Sequence, residues 1–128
     1  MYERVRLTGV FPIGDTDPNN MPVINLEEAI AFYQDTLGFS VTARGADPAP
    51  SATMVRDAVT LRFVENGGDP GDASCYLSVD DVDGAVAEMQ AHGVTPSPTR
   101  VDEHGGKRYR VFFIKDPQGL CYCVGAEV

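Results

Sequence analysis

Apolar and polar positions follow two rhythms along this chain, and their order repeats. Leu26, Ile30, Tyr33 and Leu37 share one face of a 3.6-residue period, as do Val82, Val86 and Met89, which predicts two amphipathic helices. Asn25 and Asp81 stand where each helix needs an N-cap acceptor, and Asn25 with Glu28 forms a variant of the capping box. Gly38 and Gly93 stand where a left-handed C-cap closes each helix. The stretches NLEEAIAFYQDTLGF (25–39) and DVDGAVAEMQAHGV (81–94) can be laid over one another, so that Ala29, Ala31 and Gln34 meet Ala85, Ala87 and Gln90.

Strand-like segments flank both helices. RLTGVFPI (6–13) and SCYLSV (74–79) precede them; FSVTAR, SATMVR and VTLRFVE follow the first, and a weak TPSPTRV, a strong RYRVFFI and LCYCV follow the second. GADPAPS, NGGDPGD, EHGGK and DPQG supply the turns, with NGGDPGD (66–72) as the linker between halves. Each half therefore predicts strand–helix–strand–strand–strand. The expectation is one α+β domain, with module one over about 5–66 and module two over about 73–126. Two helices are too few to cover both faces of such a sheet, so its other face must pack on something else.

Alternation assigns the faces. Cys75, Leu77 and Val79, with Val59, Leu61 and Phe63 and with Tyr122 and Val124, form the set expected beneath the helices. Ser74, Tyr76 and Ser78, with Thr60, Arg62 and Val64 and with Cys121, Cys123 and Gly125, fall on the opposite face. In RYRVFFI, Arg108 and Arg110 share a face, and Tyr109, Val111 and Phe113 take the other.

Composition narrows the chemistry. The chain has 43% apolar and 23% charged residues, enough for a real core. Ten basic against 19 acidic residues give a net charge of −9, which disfavours nucleic acid and favours cationic ligands. No apolar run approaches the roughly 20 residues a bilayer requires, and the charged start MYERVRLTGVF does not resemble an export signal. Three cysteines, an odd number, then predict reduced thiols in a cytoplasm. No Ser-His-Asp order, phosphate loop or dinucleotide fingerprint is present.

These stretches resemble the vicinal oxygen chelate superfamily of glyoxalases, bleomycin-resistance proteins and ring-cleaving dioxygenases. Phe32-Tyr33 before Leu37-Gly38-Phe39, and Asp116-Pro117-x-Gly119 before the last strand, carry the likeness, and they specify a fold rather than a reaction. The resemblance implies two βαβββ modules in an open barrel-like cleft, helices outside, with modules exchanging or pairing across a homodimer. GDTDPNNMPVI (14–24) departs from the short connection usual in the family, and reads either as a rim of the cleft or as a neutral excursion.

Metal-using members of the superfamily hold a divalent ion with His or Gln, Glu, His and Glu. By resemblance those positions fall on Thr8, Arg62, Ser74 and Cys123. Only Cys123 ligates strongly, and a permanent cation at Arg62 opposes a bound divalent ion. No metal, no cofactor and no catalytic residue are therefore expected. Cys121 and Cys123 share a strand face with β-carbons about 7 Å apart, too far for an unstrained disulfide. They read as pocket-wall residues, with one reactive thiol activated by Arg62 as the alternative.

Three functional readings follow. The first is a non-catalytic protein that sequesters a hydrophobic or cationic small molecule in a dimer cleft lined by Thr8, Phe11, Arg62, Ser74, Tyr76, Arg108, Arg110, Phe112, Cys121 and Cys123. Arg108 and Arg110 would there meet an anionic group of the ligand. The second is a lyase, isomerase or dioxygenase using one divalent transition metal, with ligands among Glu65, Glu103, His104 and the cysteines. The third is a catalytically silent partner domain. Neither nucleic acid nor a membrane is an expected partner.

Overall fold

A computed structural model describes residues 5–128; the start of the chain, read above as too charged for an export signal, lies partly outside the described residues. The elements run β1 (Leu7–Ile13), β2 (Met21–Pro22), α1 (Leu26–Asp35), β3 (Ser40–Gly45), β4 (Ser51–Arg56), β5 (Val59–Val64), a 3₁₀ turn (Pro70–Asp72), β6 (Ser74–Val79), α2 (Val82–Ala91), β7 (Arg100–His104), β8 (Lys107–Lys115) and β9 (Cys121–Glu127). They form an α+β fold of two sheets, ordered β1-β6-β9-β8-β7 and β2-β5-β4-β3, which do not close into a barrel.

Both helices start where their caps place them. The Asn25 side chain accepts from the Glu28 N–H at 3.0 Å, and Asp81 accepts from the Gly84 N–H at 3.0 Å. Gly38 and Gly93, at φ 74° and 86°, end them in the left-handed region that favours glycine. The apolar stripes then meet in one core.

At its centre is Tyr33 of α1, fully buried, with its ring 4.4 Å from Phe63 and 6.2 Å from Tyr122 between centroids. A buried phenol needs a partner. The Tyr33 hydroxyl donates to Asp116 at 2.7 Å and lies 2.7 Å from the Tyr122 hydroxyl. The other Asp116 oxygen accepts from the N–H groups of Gln118 and Leu120, each at 2.9 Å, which shapes the DPQG turn. Gln118 reaches back to α1, accepting from the Ile24 N–H at 2.6 Å and donating to the Asn25 carbonyl at 2.8 Å. A turn in one half of the chain thus fixes the start of the helix in the other.

The repeat is real, but its first strand is not the expected one. β6 pairs parallel with β9, and β2 pairs parallel with β5. Met21 stands as far ahead of Leu26 as Leu77 does ahead of Val82. β2 is therefore the first-half counterpart of β6.

β1, read from the sequence as that counterpart, is an added strand. Its Leu7 carbonyl accepts from the Ala58 N–H at 3.2 Å, beside β5. It then crosses to pair antiparallel with β6, from Leu7 opposite Val79 to Ile13 opposite Ser74, with an irregularity between Leu7 and Gly9. The 14–20 stretch brings the chain back. Thr16 accepts from the Ser74 N–H at 3.0 Å, and the Pro18 carbonyl accepts from the Arg62 N–H at 2.8 Å. The insertion thus runs along β5 instead of projecting freely. Among the described residues no helix is long and apolar enough to cross a membrane.

Candidate functional site

One face of the five-stranded sheet is covered by α2, by Tyr33 of α1 and by Met21 of β2, and there Cys75, Leu77, Phe112, Tyr122 and Val124 are all buried. The opposite face is open and forms a groove of about 680 Å³. Strand register builds its wall. Phe11 stands opposite Tyr76, Tyr76 beside Cys123, and Cys123 opposite Phe113, making one row across β1, β6, β9 and β8. Asp102, Tyr109 and Glu127 form a second row across β7, β8 and β9.

The rings are within stacking range. Phe11 and Tyr76 have centroids 6.0 Å apart at 41°, and Tyr76 and Tyr109 lie 6.1 Å apart at 77°. Thr8 donates its hydroxyl to Ser78 at 2.7 Å. At the rim, Asp102 is 3.0 Å from the Arg100 guanidinium and Glu127 is 3.6 Å from the Lys107 ammonium.

The Cys123 thiol and the Tyr76 phenol of this wall keep their protons at neutral pH. Burial pushes the Tyr76 phenol up to about 12, with Cys123 and Tyr109 adding to the effect. Burial also pushes the Cys123 thiol up to about 11, with Asp102 and Cys121 reinforcing and Arg100 opposing. Both groups are therefore hydrogen-bond donors, not nucleophiles. Activation of Cys123 by Arg62 is ruled out by position. Arg62 lies in the other sheet, its guanidinium donating to the Asn19 carbonyl at 3.3 Å.

Of the residues expected in the cleft, Thr8, Phe11, Tyr76 and Cys123 come together. Cys121 is on the same face but lines a separate groove near Lys115, at the end of β8. Ser74 is half-buried beside Cys121. Phe112 is fully buried in the core and cannot line the cleft. Arg110 reaches Asp83 on α2 at 2.7 Å, and Arg108 is exposed on the strand pairing with Glu103.

The reason for these differences is register. Directly opposed residues of an antiparallel pair share a face, so Phe113 follows Cys123 into the open side and Phe112 follows Val124 into the core. Tyr109 and Val111, absent from the expected lining, reach the groove by the same rule. The signal that finds them is the inward cysteine pair, read across the hairpin.

The four positions assigned by resemblance do not come together around an ion. Thr8 lies on the added strand β1 and not on the counterpart of β6, where it is bonded to Ser78, and Arg62 is held in the other sheet. Glu65 caps α1, accepting from the Leu26 N–H at 2.8 Å, while Glu103 and His104 are exposed on β7. Among the described residues no three His, Cys, Asp or Glu side chains converge to hold an ion.

Two paired modules and this groove are features of a known class. Residues 16–123 match the Glyoxalase/Bleomycin resistance protein/Dioxygenase superfamily, and the chain belongs to it. It is 30% identical over 124 residues to the uncharacterized protein YaeR of Escherichia coli (strain K12), covering 84% of this chain and 94% of that one. Its fold is similar to that of TnmS3, an antibiotic binding protein from Streptomyces sp. CB03234, with TM-score 0.72 and 22% identity over 91% of this chain and 98% of that one. It is also similar to a bleomycin resistance determinant encoded on the transposon Tn5, with TM-score 0.70 and 22% identity over 88% and 98% of the two chains.

Proposed function

We propose that this chain is a small-molecule binding protein that sequesters a hydrophobic or cationic ligand in the open groove, without a catalytic metal, the cleft being completed by a second copy of the chain. The observation that carries this reading is the wall itself: Phe11, Tyr76 and Tyr109 around a groove whose Cys123 thiol and Tyr76 phenol remain protonated. Such a wall offers apolar contact and neutral donors, with Asp102, His104 and Glu127 toward its edge, a composition that suits an apolar or cationic ligand. The fold shared with an antibiotic binding protein and a bleomycin resistance determinant supports the same reading. Ile13, 45% accessible beside the groove, leaves an apolar edge for a second copy to cover. The free cysteines Cys75, Cys121 and Cys123 support a reducing, cytoplasmic setting.

The competing lyase, isomerase or dioxygenase reading needs a set of metal ligands that the described residues do not assemble. A thermal-shift screen of hydrophobic and cationic small molecules tests the proposal. At least one compound stabilises the protein, and Tyr76→Ala abolishes that stabilisation. Silence across a broad panel, or stabilisation untouched by Tyr76→Ala, contradicts it. Sedimentation equilibrium showing a monomer at all concentrations would refute the second-copy part alone.

A further inference from the structure

The row of side chains across this face of the sheet has two unlike ends. At one end, beyond the groove, the Arg100 guanidinium already lies over the Phe113 ring, 4.9 Å from its centroid. At the other end is Phe11, on the added strand β1, 54% exposed. Among the described residues only Tyr76 stacks with it.

The position of the Phe11 ring depends on a small neighbour. A β-carbon at Gly9 would meet Cε2 of Phe11 at 3.1 Å and Cζ at 3.2 Å, and the Ser78 hydroxyl at 3.2 Å. The ring thus leans back across a residue with no side chain and presents itself to the groove. An exposed ring ending an aromatic row, at 6.0 Å spacing, is a place where one more ring continues the same attractive geometry.

Charge limits what that ring can carry. The carboxylates of Asp102 and Glu127 line the groove, while no lysine or arginine does. Arg100 and Lys107 pair with those carboxylates from the rim, at 3.0 and 3.6 Å. No unpaired cation among the described residues lines the groove to receive an anion, and the net charge of −9 opposes one. A flat cation or neutral ring meets π-faces and neutral donors.

Resting on the binding reading above, we infer that the ligand carries a flat, neutral or cationic aromatic ring system that stacks on Phe11, with Gly9 and Phe11 as the specificity-determining pair of the added strand. The test uses isothermal titration of proflavine (a flat cation), tetrabutylammonium (a cation with no flat ring) and anthraquinone-2-sulfonate (a flat anion). Wild-type protein binds proflavine about tenfold more tightly than either of the others, a margin within what one aromatic stack supplies. Phe11→Leu and Gly9→Ala each weaken proflavine by about tenfold and leave tetrabutylammonium unchanged, with thermal melts confirming that both variants fold. Equal binding of proflavine and tetrabutylammonium, or a Phe11→Leu variant that binds proflavine normally, overturns the inference while leaving the binding reading standing. A panel whose stabilisers all lack a flat ring does the same. If neither the three probes nor the broad panel binds at all, the binding reading itself falls, and this inference with it.

Discussion

Arg56, at the end of β4, donates from one guanidinium nitrogen to both carboxylate oxygens of Glu88 on α2, at 3.2 and 2.9 Å, although the two residues belong to different halves of the chain. Arg56 is 5% exposed, and also donates to the carbonyls of Leu37 at 2.8 Å and Val5 at 2.6 Å. One buried cation therefore ties together the start of the chain, the end of α1 and the middle of α2. Removing one partner of a buried pair leaves the other's desolvation uncompensated, which costs about 3–5 kcal/mol. Arg56→Met should lose about that much in urea denaturation, and Glu88→Gln less, since its amide oxygen still accepts from the guanidinium. A loss below about 1 kcal/mol for Arg56→Met would mean that the pair is an incidental surface contact.

The buried thiols and phenols predict an alkaline limit to stability. Cys75 and Cys123 are each pushed up to about 11 by burial, Tyr76 to about 12, and Tyr33 and Tyr122 well above the ordinary phenol value. In the unfolded chain these groups ionise first, so above their ordinary values the folded state holds more protons than the unfolded state. Stability is then fully present below about pH 9 and declines as pH rises through the folded-state values. Urea midpoints measured from about pH 7 to about pH 11 should be level and then fall, with a shallower fall in Cys123→Ala. A level profile to about pH 11 would contradict the burial of these groups.

Cys123 should be a sluggish thiol although it is only half-buried. With its titration near about 11 instead of the ordinary 9.0, its thiolate fraction at pH 8 is about a hundredfold smaller. In a Cys121→Ser background, where Cys75 is inaccessible, reaction with an aromatic disulfide reagent should be slower than that of a free thiol by about that factor. Rapid labelling would restore the reactive-thiol alternative.

Much of this framework was legible before any coordinates, and the misreadings have particular causes. SCYLSV and SATMVR became β6 and β4 at their expected bounds, because clear period-two segments were closed by turns. The helices followed from their caps and glycine stops. TPSPTRV became a strand only from Arg100, since Pro96 and Pro98 have no N–H to give to a ladder. Ser97 pairs there, exchanging bonds of 3.0 and 2.9 Å with Phe113, and the Thr99 hydroxyl accepts from Arg110 at 3.3 Å.

The groove was harder to read. RYRVFFI carries large apolar residues on both faces, so alternation separates Phe112 from Phe113 without saying which one faces the helices. Only the pairing with β9 decides it. The apolar pattern of RLTGVFPI likewise identifies a strand but not the sheet it joins, and the crossing of β1 to β6 depends on long-range pairing that no local signal encodes. Tyr76 and Cys123 fall on one groove by plain alternation, whereas Thr8 and Phe11, three residues apart on β1, share it only because the strand is irregular between Leu7 and Gly9.

The account as a whole stands on the groove acting without a bound ion. Elemental analysis of the purified protein, grown with zinc, iron, nickel and manganese supplied, combined with thermal melts with and without chelator, measures this directly. The expected result is far less than one metal per chain and a melting temperature that chelator does not move. About one transition metal per chain, with a melt that falls when chelator is added, would contradict it.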